Sequence, residues 1–191
     1  MAPKETAIPI FGFPELDSTN TMAESLVRAH DPALEAALGA TAKMAIIFTP
    51  SQTSGRGQGD HRWFSDGCLT FTLVKAFEEG ELPAREESRL NDLVTEPILR
   101  FLESEGVDGA RLKEPNDLWV GDRKIAGILI RNILEESWVR ISIIGIGLNL
   151  NRTEFPGWLP NPVSLRQLTG REFSAEEVLK DLSLRILEKA G

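Results

Sequence analysis

The chain has 191 residues, 41% of them hydrophobic, enough to fill the core of one domain and little more. With 29 acidic against 21 basic side chains the net charge is −8, which opposes the phosphate neutralisation that nucleic-acid binding depends on. The longest apolar stretches are too short and too broken by glycine to cross a bilayer, and the N-terminus lacks a basic-then-apolar leader, so a cytoplasmic protein with no nucleic-acid or membrane partner is expected.

In chain order, residues 18–30 read as a helix that Ser18 or Thr19 can cap, with Met22, Leu26 and Val27 on one face and Asp31-Pro32 as its stop. Residues 43–48 form a short β run and residues 68–75 a second. The charged stretch 78–87 is a polar connection. Residues 88–105 place Leu90, Leu93, Val94, Ile98, Phe101 and Leu102 on one helical stripe. Pro97 inside that stripe is expected to kink the helix or shift its start, because proline removes an N–H and clashes with the preceding turn. A meander follows: residues 118–120, a turn at Gly121-Asp122, residues 123–134, a turn at Glu135-Glu136, then residues 138–151. Ser174 through Glu177 reads as a capping box opening the last helix, whose apolar face is Val178, Leu179, Leu182, Leu184, Ile186 and Leu187. A β-rich centre with flanking helices predicts an α+β fold with a mixed, mostly antiparallel sheet, as a single domain over residues 1–191.

Two side-chain chemistries are quickly bounded. The lone Cys68 lies in a β-type alternation, cannot form an internal disulfide and is assigned to core packing, and the two histidines, His30 and His61, belong to no cluster with zinc spacing. The richest segment is the loop from Gln52 to Trp63. Gly55, Gly57 and Gly59 let a ligand approach backbone N–H groups, and Arg56 and Arg62 add permanently charged donors, a combination suited to clamping a phosphate-bearing ligand. A plain solvated turn is the competing reading. Neither a Walker-type phosphate loop nor a strand–G-x-G-x-x-G–helix unit occurs in the chain.

Five blocks change the weight of that loop. They are Leu16-Asp17-Ser18-Thr19-Asn20; Gln52 through Gly57 with Trp63-Phe64-Ser65; Lys113-Glu114-Pro115-Asn116-Asp117; Asp122 through Leu129, which contains Lys124 and Gly127; and Gly145 through Asn151. In this order and spacing they resemble the catalytic domain of the biotin protein ligases. The resemblance implies the fold shared by class II aminoacyl-tRNA synthetases and biotin–lipoate ligases. It also implies a two-step reaction: biotin and ATP, with Mg²⁺, give biotinyl-5′-AMP, and a lysine of a carboxylase's biotin carboxyl carrier domain then takes the biotinyl group.

Carried onto this chain, the resemblance makes Lys124, Arg56 and Asp117 catalytic. It gives biotin contacts to Ser18, Thr19, Asn20, Gln52, Gly55, Arg56, Gly57, Gln58 and Lys124, and ATP contacts to Arg56, Trp63, Asn116, Asp117, Lys124 and Asn149. The chemistry is coherent. Hydroxyls and amides suit a ureido head, an arginine suits phosphate or carboxylate oxygen, and a lysine suits charge developing on the α-phosphate. Asp117 has two readings, a ligand to Mg²⁺ carried by ATP or an orienting partner for Lys124. Bland alternatives stay open: helix capping for Ser18 and Thr19, a strand-edge lysine at 124, a turn cap at Asn116-Asp117, and core packing for Trp63. Gly145 and Gly147 interrupt a strand, which favours close ligand approach or a bulge.

The sequence also departs from the family pattern. Gln58, Gly59 and His61 stand where arginines are common, which predicts weaker retention of the adenylate, and Glu114 stands where an aromatic is usual. An N-terminal DNA-binding winged helix-turn-helix is not expected, and a C-terminal SH3-like domain is expected to be absent or cut off. An exposed strand edge would serve either a carrier domain or a homodimer. The alternatives to a biotin ligase are a lipoate or octanoyl ligase or transferase, and a catalytically degenerate biotin-binding protein.

Overall fold

The computed structural model describes residues 7–40, 42–57, 59 and 62–191, so the readings at Gln58 and His61 lie outside the described residues. Seven strands among them form one sheet, in the order β1 (Ile10–Gly12), β2 (Met44–Phe48), β3 (Cys68–Ala76), β7 (Trp138–Asn149), β6 (Arg123–Glu135), β5 (Asp117–Val120) and β4 (Ala110–Lys113). Only the β1–β2 pair is parallel, so the expected mixed, mostly antiparallel sheet of an α+β fold is what forms.

Helices cover both faces. On one side α3 (Arg89–Ser104) and α5 (Ala175–Ala190) pack over Leu69, Phe71 and Leu73 of β3 and Ile144, Ile146 and Leu148 of β7. On the other, α1 (Thr19–Arg28) and α2 (Pro32–Leu38) pack over Ile47, Val74, Ile141 and Ile143. The period-2 alternation of a strand explains this division, since neighbouring residues point to opposite faces.

That alternation also creates the site. On the α1 face the register pairs Val74 with Ile143, then Thr72 with Gly145, Thr70 with Gly147 and Cys68 with Asn149. Branched apolar side chains thus give way to threonine and glycine along one stripe, and the apolar cover of α1 ends where the cleft begins.

Local signals account for most of the boundaries. Ser18 caps α1, and Asp31 both follows α1 and caps α2, accepting from Ala33 N and Leu34 N with Pro32 at the first helical position. The sequence reading treated Asp31-Pro32 only as a stop and missed α2, as it missed the short β1 and β4 and the helix α4 (Leu165–Thr169). The helix α3 runs through Pro97 rather than starting at it. A full capping box occurs at Ser164 and Gln167, whereas at Ser174 the box is half made: its hydroxyl accepts from Glu177 N but pairs otherwise with the Glu176 carboxylate. Leu184, assigned to the apolar face of α5, is 39% exposed, because it lies about 200° round the helix from the buried Leu182.

Candidate active site

A cleft of about 450 Å³ opens on the α1 face where the glycines replace branched residues. Its lining joins segments far apart in sequence: the start of α1, the loop 52–63, the central strands β3 and β7, the β5–β6 hairpin and the loop 151–163. Ser18, Thr19, Asn20, Gln52, Arg56, Gly57, Trp63, Asn116, Asp117, Lys124 and Asn149 all line it. Gly55 does not. It lies buried behind the loop, where an added Cβ would come within 2.4 Å of the Trp63 carbonyl oxygen and 2.9 Å of Gln52 Nε2.

One end of the cleft is neutral and polar. Gln52 Oε1 accepts from the Thr19 N–H at 2.7 Å, and the Thr19 hydroxyl lies 3.2 Å from the same oxygen. Thr72 Oγ1 lies 2.5 Å from Asn20 Oδ1 and 2.9 Å from Thr19 Oγ1. Since a hydroxyl has one proton, Thr19 donates its own to Gln52 Oε1, and Thr72 divides its own between Asn20 Oδ1 and Thr19 Oγ1. Gln52 is in turn fixed through its backbone, whose N–H and C=O both meet Ser65 Oγ at 3.0 Å. Capping and cleft-lining coexist in Ser18, which is 2% exposed with its Oγ 3.5 Å from Thr21 N.

Trp63 occupies the middle. A Cβ on Gly147 would fall 2.3 Å from its Cε2, and one on Gly127, the register partner of Gly147, 3.1 Å from its Cζ3. The paired glycines therefore form a flat floor for the indole. At Gly145 the same test meets Asn20 Oδ1 at 2.3 Å. The glycines at 145 and 147 thus admit the protein's own Asn20 and Trp63 rather than a ligand, and the register is regular at both, so neither marks a bulge.

The other end is charged. Lys124 Nζ lies 2.7 Å from Asp117 Oδ1 and 5.8 Å from the centroid of the Trp63 ring system. The backbone at Lys124 is held on both sides, its N–H donating to Asn161 O at 2.8 Å and its carbonyl accepting from Val163 N at 2.9 Å. Asn116 donates through Nδ2 to Ile128 O at 2.7 Å, tying the β5 entry to β6. Arg56 and Arg62 face each other in an isolated bridge, and Trp63 N donates to Gly55 O, which closes the glycine-rich loop at its base. Arg152 is a fourth cation in the lining, its guanidinium 5.7 Å from the Phe64 ring and 5.8 Å from that of Phe155. Among the described residues, four cations and the single carboxylate of Asp117 line the cleft in a chain of net charge −8, so the local field favours an anion against the global one.

Asn149 lines the cleft with both ends of its amide engaged by protein. Its Oδ1 accepts from Cys68 Sγ at 3.3 Å, and its Nδ2 lies 3.0 Å from Val163 O and 3.4 Å from Lys124 O. Cys68 is 8% exposed, and burial pushes its thiol from an ordinary 9.0 up to about 12, which agrees with its assignment to packing. Glu114 is exposed, whereas its neighbour Lys113 holds its ammonium 3.8 Å from the centroid of Trp119, an aromatic that does line the cleft.

Sequence reasoning missed Thr70, Trp119, Arg152 and the rim residues Phe155, Trp158 and Pro162. Trp158 is 65% exposed and packs against Phe64 in a tilted pair, with 5.3 Å between ring centroids and 59° between the ring planes. Strand alternation could have found two of these, since Thr70 shares a face with Thr72, and Trp119 with Asp117.

The sequence pattern of the Biotin/lipoate A/B protein ligase family matches residues 14–149. The chain is 30% identical over 138 residues to the bifunctional ligase/repressor BirA of Salmonella typhimurium, covering 71% of this chain and 42% of that protein. It is also 30% identical over 141 residues to the biotin–[acetyl-CoA-carboxylase] ligase of Paracoccus denitrificans, covering 71% and 58%. The chain thus spans less than two thirds of either relative. Among solved structures, the biotin protein ligase from Aquifex aeolicus in complex with biotin and ATP superposes with a TM-score of 0.68 at 26% identity, covering 95% of this chain and 70% of that one. With the family pattern running across the cleft residues from α1 to β7, the chain belongs to the biotin/lipoate A/B protein ligase family.

Proposed function

We propose that the chain is an ATP-dependent biotin protein ligase. The observation that carries the reading is the union, in one cleft, of a neutral hydrogen-bonding end at Thr19, Asn20 and Gln52 with a cationic end at Arg56 and Lys124. Biotin has the matching polarity, with a neutral ureido head, an apolar body and a carboxylate. Its carboxylate oxygen attacks the α-phosphorus of ATP and pyrophosphate leaves. The ε-amine of a carrier-domain lysine then attacks the acyl carbon and AMP leaves. Lys124, held by Asp117, stabilises charge on the phosphate in both steps.

Two features support biotin over the octanoyl-transferase alternative, which needs a reactive cysteine. The chain has one cysteine, and its thiol is buried and donated to Asn149. Magnesium would be carried in on ATP. Asp117 offers it one carboxylate, and no group of three His, Cys, Asp or Glu side chains among the described residues is placed to hold a metal unaided. The partner is a biotin carboxyl carrier domain.

Biotin-dependent ATP–pyrophosphate exchange, with lipoate and octanoate in parallel and Lys124→Ala as control, tests the reading. Exchange with biotin alone, lost in the variant, is the expected result. Exchange with lipoate instead would reassign the substrate, and biotin binding without exchange would make the chain a binding protein.

A further inference from the structure

We infer that Thr70 is a binding and specificity-determining residue of the cleft, its hydroxyl reserved for the polar head of the bound acid; the assignment rests on the biotin reading above. Thr70 lies on β3, is 3% exposed and lines the cleft, yet its Oγ1 is buried with no hydrogen-bond partner among the described residues. Two residues along the same face, Thr72 shows what a structural threonine looks like here, with its hydroxyl in contact with both Thr19 and Asn20. A buried hydroxyl left unpaired costs more than it returns, and valine, with the same shape and strand preference, would carry no such cost at position 70.

The surroundings indicate what the hydroxyl meets. Thr70 pairs in register with Gly147, the floor beneath the Trp63 indole. Trp63 Nε1 and Asn20 Nδ2, which line the same cleft, are likewise buried without partners among the described residues. Two of these three groups can only donate, whereas the Thr70 hydroxyl both donates and accepts. A cyclic urea has the complementary set, one carbonyl to receive N–H or O–H donors and N–H groups that require an acceptor. A dithiolane or alkyl head has neither, and would leave all three groups unpaired. A site built to pair with a polar group rejects analogues lacking it far more strongly than a site that only fits their shape. Thr70 therefore helps select a ureido head over lipoyl or octanoyl chains.

The experiment is calorimetric titration of the chain and its Thr70→Val and Thr70→Ser variants with biotin and with octanoate, alongside thermal melting without ligand. Thr70→Val is expected to weaken biotin about tenfold while its unliganded melting temperature is not lowered, and Thr70→Ser to stay within about twofold of wild type. Octanoate binding should be no weaker in Thr70→Val. Wild-type biotin affinity in Thr70→Val overturns the assignment, and so does an equal loss in both variants, since Thr70→Ser keeps the hydroxyl and an equal loss there would put the effect in packing. If Thr70→Val does not fold, Thr70→Ala against Thr70→Ser decides: a loss confined to alanine supports the role of the hydroxyl, and equal affinities overturn it. A wild-type chain that binds no biotin overturns the parent reading and this one together, whereas biotin binding that survives loss of the hydroxyl overturns this one alone.

Discussion

The ammonium of Lys124 lies 2.7 Å from Asp117 Oδ1, with only 28% and 27% of the two side chains exposed. The pair spans adjacent strands, Asp117 opening β5 and Lys124 following the turn into β6, and the Asn161 and Val163 backbone bonds fix the lysine from the far side. A lysine is flexible and reaches one position reliably only when something holds it. The carboxylate is thus placed to hold Lys124, and of the two roles open to it in the sequence we propose the orienting one.

Asp117→Asn tests that directly, because it keeps the shape and removes the charge. Pyrophosphate exchange should fall about a hundredfold, with biotin affinity within a few-fold of wild type, as befits a group acting in the transition state. Raising Mg²⁺ should not restore the rate. Recovery at high Mg²⁺ would instead make Asp117 a metal ligand.

Gly147→Ala should damage both stability and binding. Its new Cβ would overlap the Trp63 indole at 2.3 Å, and the indole also rests on Gly127, so the ring must leave its seat. Overpacking of this kind costs about 1–3 kcal/mol. Melting temperature and biotin affinity should both fall. Gly12→Ala is the matched control, since a Cβ there meets nothing within 4 Å, and it should change neither.

Which parts were legible follows from the range of the signals involved. Strands β2, β3, β6 and β7 carry dense branched and aromatic residues, and could be read directly from composition. The three-residue β1 and four-residue β4 could not, since their strand character comes from pairing with β2 and β5 rather than from their own composition. In the site, Thr19, Gln52 and Lys124 stood in recognisable blocks. Thr70 and Trp119 did not; alternation puts them on the faces of Thr72 and Asp117, but register was needed to set Thr70 beside Gly147 and, past the bulge at Ile125 of β6, Trp119 opposite Lys124. The loop 151–163 had no periodicity, and its contribution of Arg152 and Trp158 depends on the backbone bonds that bring it back to Lys124.

Gln58→Arg should lengthen the life of the bound adenylate. The loop keeps Arg56 and Arg62 in the cleft lining, but position 58 carries a neutral amide. A charge-assisted hydrogen bond is worth roughly 1–2 kcal/mol more than a neutral one, so release of biotinyl-AMP should slow about tenfold. Quenched-flow trapping of the free adenylate measures it, and an unchanged release rate would mean that position 58 does not reach the phosphate.

Cys68 gives a pH signature. Burial is the main cause of its raised pKa, with the Arg152 charge opposing it, Asp66 adding to it, and a backbone hydrogen bond at Leu150 acting against it. The native thiol should therefore stay protonated at neutral pH, donate to Asn149 and resist iodoacetamide until the chain is unfolded. The same shift sets the direction of the stability change. Between the ordinary value of 9.0 and about 12, the unfolded thiol has lost its proton while the folded one keeps it. Fewer protons on the unfolded chain mean that stability falls as pH rises through that window and is unaffected by this group below it. Cys68→Ala should be less stable at neutral pH, having lost a packed side chain, yet should lose less between pH 9 and 12 than wild type. Parallel denaturation midpoints for the two proteins across that window would show that the thiol ionises as readily in the folded chain as in the unfolded one, and would remove the burial argument for its inertness.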